Sequence, residues 1–366
     1  MADVVPVRSL GVETAGKLYF FEYEDHALPE GCFRIQTLYT GLSAGTELTL
    51  FKGSNPYLHA RWDEQFSAFV PEEPTTRFPV PFMGYMESGR VIETRTPSLR
   101  IGQTVGMAYG HKTGHMADPR QEFFAALPDD IDPLLGIYVA QMGPICANGL
   151  LHAAADLVGH DVRSLGDGVR GRNVLVMGAG VIGLLTALFA RHGGAAAVVV
   201  ADPAPFRREV AARLGFAAAD ERDVWRYCKE SWSHGGPDRG ADVAFQCRAH
   251  SASLHEALRA LRPQGTVIDL AFYQGRASEL RLGEEFHHNA LSIRCAQIRR
   301  VPRDLSFTWN RARLAQETIG LLRAEGQVIR DHIITDIVPL DDAPAFISRL
   351  VEDRRDFLQV VFRMPA

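Results

Sequence analysis

The fold class expected from the sequence is α/β, with a β-rich domain beside a doubly wound parallel-sheet domain. Three observations carry that expectation. A Gly-x-Gly-x-x-Gly turn (Gly178, Gly180, Gly183) stands between a short apolar strand at 174–177 and a helical pattern running from Val181 to about Arg191. From Leu150 onward strand-like and helix-like segments alternate, which implies a parallel sheet with helices on both faces. Residues 1 to about 145 read instead as short strands broken by many turns.

Each part of the glycine turn has a physical use. The first glycine permits a tight turn, the second lets backbone approach a pyrophosphate, and the third lets the helix pack closely on the strand. Val181, Ile182 and Gly183 open a helix whose unpaired N–H groups face an anion. A second strand, 196–201, runs into Asp202, nineteen positions beyond Gly183. A carboxylate so placed accepts hydrogen bonds from an adenosine ribose. Gly178, Gly180, Val181, Ile182, Gly183 and Asp202 are therefore the candidate dinucleotide site. Asp202 favours NAD(H) over NADP(H), because a carboxylate there repels a 2′-phosphate.

Bulk properties bound the rest. At 366 residues the chain is long for one hydrophobic core, so two domains are the default. Apolar residues make up 46% and charged residues 23%, the profile of a soluble globular protein. A net charge of −5 gives no electrostatic reason to expect nucleic acid or an anionic membrane as partner. No apolar run reaches spanning length, and the first residues lack the layout of a signal peptide. The five cysteines are scattered and odd in number, which argues against a disulfide framework and for a reducing cytoplasm. With no Cys-x-x-Cys pair, a four-cysteine zinc knot is excluded.

Along the chain, strands are expected at 17–23, 32–39, 89–94 and 104–108, where β-branched and aromatic residues cluster. Residues 51–82 read as a long, loop-rich excursion of the kind that lines sites. Helix is expected at 150–157, a turn at 165–171, helix at 205–214, strand at 242–246, helix at 251–261 and strand at 266–271. A helix at 311–324 precedes two strands, 333–338 and 358–362, which most simply rejoin the first domain. The domains are thus expected at 1–149 completed by 297–366, and at 150–296.

Several pieces resemble the medium-chain dehydrogenase/reductase superfamily, the alcohol and polyol dehydrogenases. They are Gly41-Leu-Ser-Ala-Gly-Thr-Glu-Leu, Gly84-Tyr-Met-Glu-Ser-Gly-Arg-Val, the glycine turn, Leu261-Arg-Pro-Gln-Gly-Thr-Val, and Glu285-Phe-His-His-Asn with the following Leu-Ser-Ile-Arg-Cys-Ala-Gln297. The resemblance implies a GroES-like catalytic domain and a Rossmann domain. It further implies an adenine-flanking position at Arg207, a loop meeting the nicotinamide carboxamide at Ala271, Phe272 and Tyr273, and a homodimer through the edge strand near 291–297. The departures are as informative. Where zinc-dependent members carry a catalytic cysteine this chain has Ser43, and where they carry a histidine and glutamate it has Tyr85 and Met86. Serine and tyrosine are poor Zn²⁺ ligands. The chain is similar to a zinc-free branch with Ser-x-Gly-Thr-Glu, so no metal is expected.

Alcohol oxidation then needs aimed hydroxyls to do what a Lewis acid otherwise does. Ser43, Thr46 and Tyr85 are the candidate catalytic residues, with Glu47 as an orienter of neighbouring backbone. His111 and His115 are expected to form a solvated or substrate-lining pair rather than a metal site, and His152 to be packed. The His287-His288 pair should be structural and Cys146 a buried, inert thiol. The leading expectation is zinc-independent NAD(H)-dependent interconversion of a secondary alcohol and a ketone on a polyol, sugar or cyclitol-like molecule. That substrate is expected in the cleft between the domains, walled partly by the 51–82 excursion. The alternatives are reduction of an activated C=C or larger ring carbonyl, a non-catalytic nicotinamide-nucleotide-binding protein, and a methyltransferase, against which the β-rich first domain weighs.

Overall fold

The computed structural model describes residues 5–71, 74–352 and 357–365. The chain forms two compact units, Met1–Gln141 with Ile334–Ala366, and Met142–Ile333.

In the first unit an antiparallel hairpin, β1 (Val5–Thr14) and β2 (Lys17–Asp25), turns at Gly16 in the left-handed region. Then come β3 (Phe33–Gly41) and α1 (Ala44–Phe51). The 51–82 excursion is not wholly loop, because Arg61–Asp63 (β4) and Ala68–Val70 (β5) pair as a small hairpin with Trp62 edge-on to Phe69. Next follow β6 (Glu87–Thr94), β7 (Thr104–Met107), β8 (Gly114–Ala117) and β9 (Ala125–Ala126).

The second unit opens with α2 (Met142–Val158). It continues β10 (Asn173–Met177), α3 (Val181–His192), β11 (Ala197–Ala201), α4 (Pro205–Arg213), β12 (Ala217–Ala219) and α5 (Val224–Ser231). A short hairpin, β13 (Ser233–Gly235) with β14 (Asp238–Arg239), leads to β15 (Ala241–Gln246), α6 (Ser251–Ala260), β16 (Leu261–Asp269), β17 (Ser292–Cys295) and α7 (Arg311–His332). Its six parallel strands run in the order β12-β11-β10-β15-β16-β17. Strand order reverses between β10 and β15, the place where open α/β sheets bind ligands at their carboxyl ends. Leu175, Met177, Val199, Ala244, Leu258 and Val267 are among the buried residues that fill one core of this unit.

The chain then returns to the first unit with β18 (Ile334–Pro339), α8 (Ala343–Glu352) and β19 (Gln359–Arg363). These complete a seven-stranded sheet, β18-β19-β3-β6-β7-β9 with β8 on β3. Val360 and Phe362 of β19 share a core with Leu42, Leu48 and Phe51 around α1.

The units divide at Met142 and Ile334, where the sequence reading divides them at 150 and 297. Helix α2 begins earlier than its expected start because Gly143 and Pro144 mask its first turn, where proline is tolerated. Gly143 has a packing reason. A Cβ there would stand 2.1 Å from the Thr318 Cγ2 of α7, so the glycine lets these two helices close. Helix α7 runs on to His332 and stays with the second unit. Strand β16 ends at Asp269, leaving Ala271 in the loop beyond. Among the described residues, no helix is long and apolar enough to cross a membrane.

Candidate active site

At the carboxyl end of β10 the chain turns through Gly178, whose φ of +97° is closed to most side chains. A Cβ on Gly183 would stand 1.7 Å from the Gly178 carbonyl oxygen, so only glycine lets α3 lie this close to its own strand. Gly180 is the N-cap of α3 and supplies no side chain, which leaves the first N–H groups of Val181, Ile182 and Gly183 open to an anion. This geometry fits a dinucleotide pyrophosphate.

Asp202 follows β11 and is 3% exposed. Its Oδ2 accepts the Ala179 N–H and its Oδ1 the Ala204 N–H, each at 2.9 Å. The acid therefore braces the glycine turn, each oxygen accepting one backbone N–H. Arg207 of α4 brings Nη1 to 3.2 Å from where a Cβ on Gly180 would be. Burial lowers its pKa, as does the charge of Arg248, while Asp202 opposes both. Beyond β16, Ala271 donates its N–H and Tyr273 its hydroxyl to the two oxygens of Asp269, at 2.9 and 3.0 Å. Phe272 between them is 38% exposed. Ten sequence-predicted cofactor residues thus gather at the carboxyl ends of β10, β11 and β16.

Arg248, which the sequence reading missed, follows β15 across the switch point. Its backbone and Cβ lie within 3.4 Å of where a Cβ on Gly178 would be. Its guanidinium Nη1 donates to both oxygens of Glu221, at 2.7 and 2.8 Å. The available signal was positional, an arginine two residues past the end of a core strand in place of a small turn residue.

In the first unit Ser43 caps α1 without spending its hydroxyl on the cap. Its Oγ bonds instead to the Tyr85 hydroxyl, and Thr46 lies near enough to help hold the Tyr85 phenol down. The three predicted catalytic hydroxyls therefore form one cluster. Burial pushes the Tyr85 phenol up to about 12, and the Glu47 charge adds to that, with Ser43 and Thr46 opposing. Tyr85 thus keeps its proton at neutral pH and has it available to donate.

Behind the hydroxyls lies a buried chain. Glu47 Oε1 accepts the Ser43 backbone N–H at 2.9 Å, and Oε2 lies 2.7 Å from His111 Nε2. His111 Nδ1 lies 2.5 Å from Thr40 Oγ1, and Thr40 donates to Glu87 Oε1 at 3.1 Å. Register explains the last contact, since Thr40 on β3 sits directly across from Glu87 on β6. Glu87 Oε2 accepts the Tyr109 N–H at 2.7 Å. Burial raises the Glu87 pKa, with His111 opposing. For His111, burial lowers the pKa but Glu47 and Glu87 outweigh it, and the balance lies above the ordinary histidine value.

His111 corrects the sequence reading of a solvated or substrate-lining pair. Its ring is fully buried, whereas His115 on β8 is partly exposed and pairs with Glu122 at 2.7 Å. His152 is packed in α2 with Nε2 2.9 Å from the Arg300 carbonyl. Burial pushes the Cys146 thiol up to about 12, which keeps it unreactive. Ser43 and Tyr85 bond to each other beside the buried Met86, and hydroxyl and thioether groups suit zinc less well than thiolate and imidazole. Among the described residues, only His255, Glu284 and Glu285 of the second unit bring three His, Cys, Asp or Glu ligand atoms within 4.8 Å of one another.

Comparison with known proteins finds dehydrogenases and reductases among those the chain resembles. A family model described as "Zinc-binding dehydrogenase" matches residues 181–305, within the second unit and clear of Ser43 and Tyr85. The chain is 25% identical to the D-guloside 3-dehydrogenase of Escherichia coli (strain K12) over 339 residues, covering 90% of this chain and 92% of that one. It is 28% identical to a putative D-xylulose reductase of Rhizobium meliloti (strain 1021) over 192 residues, 52% of this chain and 51% of the other. The solved L-idonate 5-dehydrogenase of Escherichia coli superposes with a TM-score of 0.70 at 17% identity over 99% of both chains, a likeness of fold.

Proposed function

We propose that this member of the medium-chain dehydrogenase/reductase superfamily interconverts a secondary alcohol and a ketone on a polyol, sugar or cyclitol-like small molecule, using NAD(H) and no catalytic zinc. The observation that carries the reading is the Ser43–Tyr85–Thr46 hydroxyl cluster at positions where the family's zinc-dependent members hold metal. The relatives named for a guloside and a xylulose substrate support the substrate class.

The residues of the glycine turn would hold the dinucleotide. Val181, Ile182 and Gly183 would offer N–H groups to the pyrophosphate, and Asp202 would meet the ribose. Its carboxylate supports NAD(H), since a 2′-phosphate beside it would meet like charge. Bound nicotinamide supplies or accepts the hydride. Protein hydroxyls handle the oxygen. Toward ketone reduction one hydroxyl of the Ser43–Tyr85 pair donates to the carbonyl oxygen and the other donates to its partner, so that a proton passes along the pair to the alkoxide as charge develops there and water restores the proton to the pair. Oxidation runs the same transfer backwards, with the alcohol proton leaving through the hydroxyl pair.

The test is nicotinamide turnover by purified protein on a panel of polyols, sugars, cyclitols and their ketones, beside NADH titration by fluorescence. The reading expects NADH binding at micromolar concentration and turnover with a member of the panel. Absence of nicotinamide binding would remove it.

A further inference from the structure

We propose that His111 is carried as an imidazolium and serves as a positioning residue, holding Glu47 so that Glu47 fixes Ser43 and its hydroxyl partner Tyr85. The catalytic half of this proposal rests on the oxidoreductase reading above; the charge assignment does not.

Hydrogen-bond bookkeeping carries it. A carboxylate oxygen only accepts, so the 2.7 Å contact to Glu47 Oε2 requires a proton on His111 Nε2. Thr40 has one hydroxyl proton, and donating it to Glu87 turns an oxygen lone pair toward His111 Nδ1 at 2.5 Å. That contact requires a second proton, on Nδ1. A neutral ring keeps its own two contacts if Thr40 turns its proton to Nδ1, but the 3.1 Å Thr40–Glu87 contact is then left without a proton unless Glu87 carries one. Glu47 on α1, sharing its two oxygens between the ring and the Ser43 N–H, makes the link from His111 to the hydroxyl cluster.

Packing leaves the ring one pose. It is fully buried, meets Phe362 of β19 edge-on at 5.2 Å, and lies so close to Gly84 that a Cβ there would stand 2.9 Å from it. The polar and charged groups facing it are Glu47 from α1, Glu87 from β6 and Thr40 from β3. Two carboxylates against one ring favour the cation, in line with the raised pKa given above. Loss of the proton at alkaline pH would release Glu47 and let the Ser43–Tyr85 pair drift.

The test uses full-length protein with ¹⁵N-labelled histidine. At pH 8, where an ordinary imidazole is largely neutral, one histidine should show protons on both ring nitrogens, and that signal should vanish in His111→Gln. In turnover, His111→Gln should lower kcat about tenfold, with KM and NADH affinity within about twofold, and should abolish the alkaline limb of the kcat profile. A His111 ring with one bare nitrogen, or a variant with parental kcat and pH profile, would overturn the proposal. If His111→Gln fails to fold, Thr40→Val serves, because it removes the acceptor for Nδ1; the ring should then lose its second proton at a lower pH than in the parent, and an unchanged titration would count against the proposal. A doubly protonated His111 in a protein that binds no nicotinamide would refute the oxidoreductase reading and leave the charge assignment standing.

Discussion

Asp202 reaches back to the turn that precedes its strand, with Oδ2 accepting the Ala179 N–H at 2.9 Å between residues 23 positions apart. One carboxylate braces the glycine turn and, in the proposed NAD(H) reading, would also meet the ribose. Asp202→Ala should therefore cost stability as well as affinity. Two backbone donors lose their acceptor, a loss of about 1–3 kcal/mol. Denaturant unfolding should show that loss, and NADH titration should show at least tenfold weaker binding, while Asp202→Asn keeps one acceptor and falls between.

Gly183→Ala tests the turn itself. The added Cβ overlaps backbone, 1.7 Å from the Gly178 carbonyl oxygen, and no side chain can move to relieve it. Helix α3 must shift from β10, so NADH affinity should drop at least tenfold by fluorescence titration and the melting temperature should fall with it.

Tyr85→Phe and Ser43→Ala each remove one donor from the hydroxyl pair. Loss of a single preorganised donor should lower kcat by about 10²–10³ while leaving NADH affinity unchanged. Tyr85 also sets a pH signature. Its folded pKa, about 12, lies above that of a free phenol, so its protonated form contributes stability that is complete below about pH 10 and lost as pH rises toward 12. Ultraviolet difference titration of the parent against Tyr85→Phe should show no Tyr85 ionisation below about pH 11.

Arg34 tests the β-rich unit. Buried on β3, it donates to Asp25 at 3.3 Å, to Glu93 at 3.2 Å and to the His26 carbonyl at 2.6 Å. Arg34→Ala leaves a carboxylate stranded near the core and should cost about 3–5 kcal/mol. Equilibrium unfolding checks this, with NADH binding by the second unit as the control for local damage.

What the sequence disclosed and what it hid divide by distance along the chain. The glycine turn, α3, β11 and Asp202 lie within one βαβ stretch, so spacing alone placed Gly178, Gly183 and Asp202 together. Ser43 and Tyr85 are 42 positions apart, and only resemblance to a known motif paired them. His111 was unreadable. Its partners Glu47 and Thr40 stand 64 and 71 positions away, and neighbouring Lys112, Thr113 and Gly114 made it look like exposed loop. The first turn of α2 was hidden by Gly143 and Pro144, whose value lies in tertiary packing against Thr318 and not in helix propensity.

The most direct measurement is the metal content of turning-over enzyme, taken with the rate before and after exhaustive dialysis against a zinc chelator. The proposed hydroxyl chemistry of Ser43 and Tyr85 predicts substoichiometric zinc and an unchanged rate. Stoichiometric zinc whose removal abolishes turnover, and whose return restores it, would contradict that chemistry.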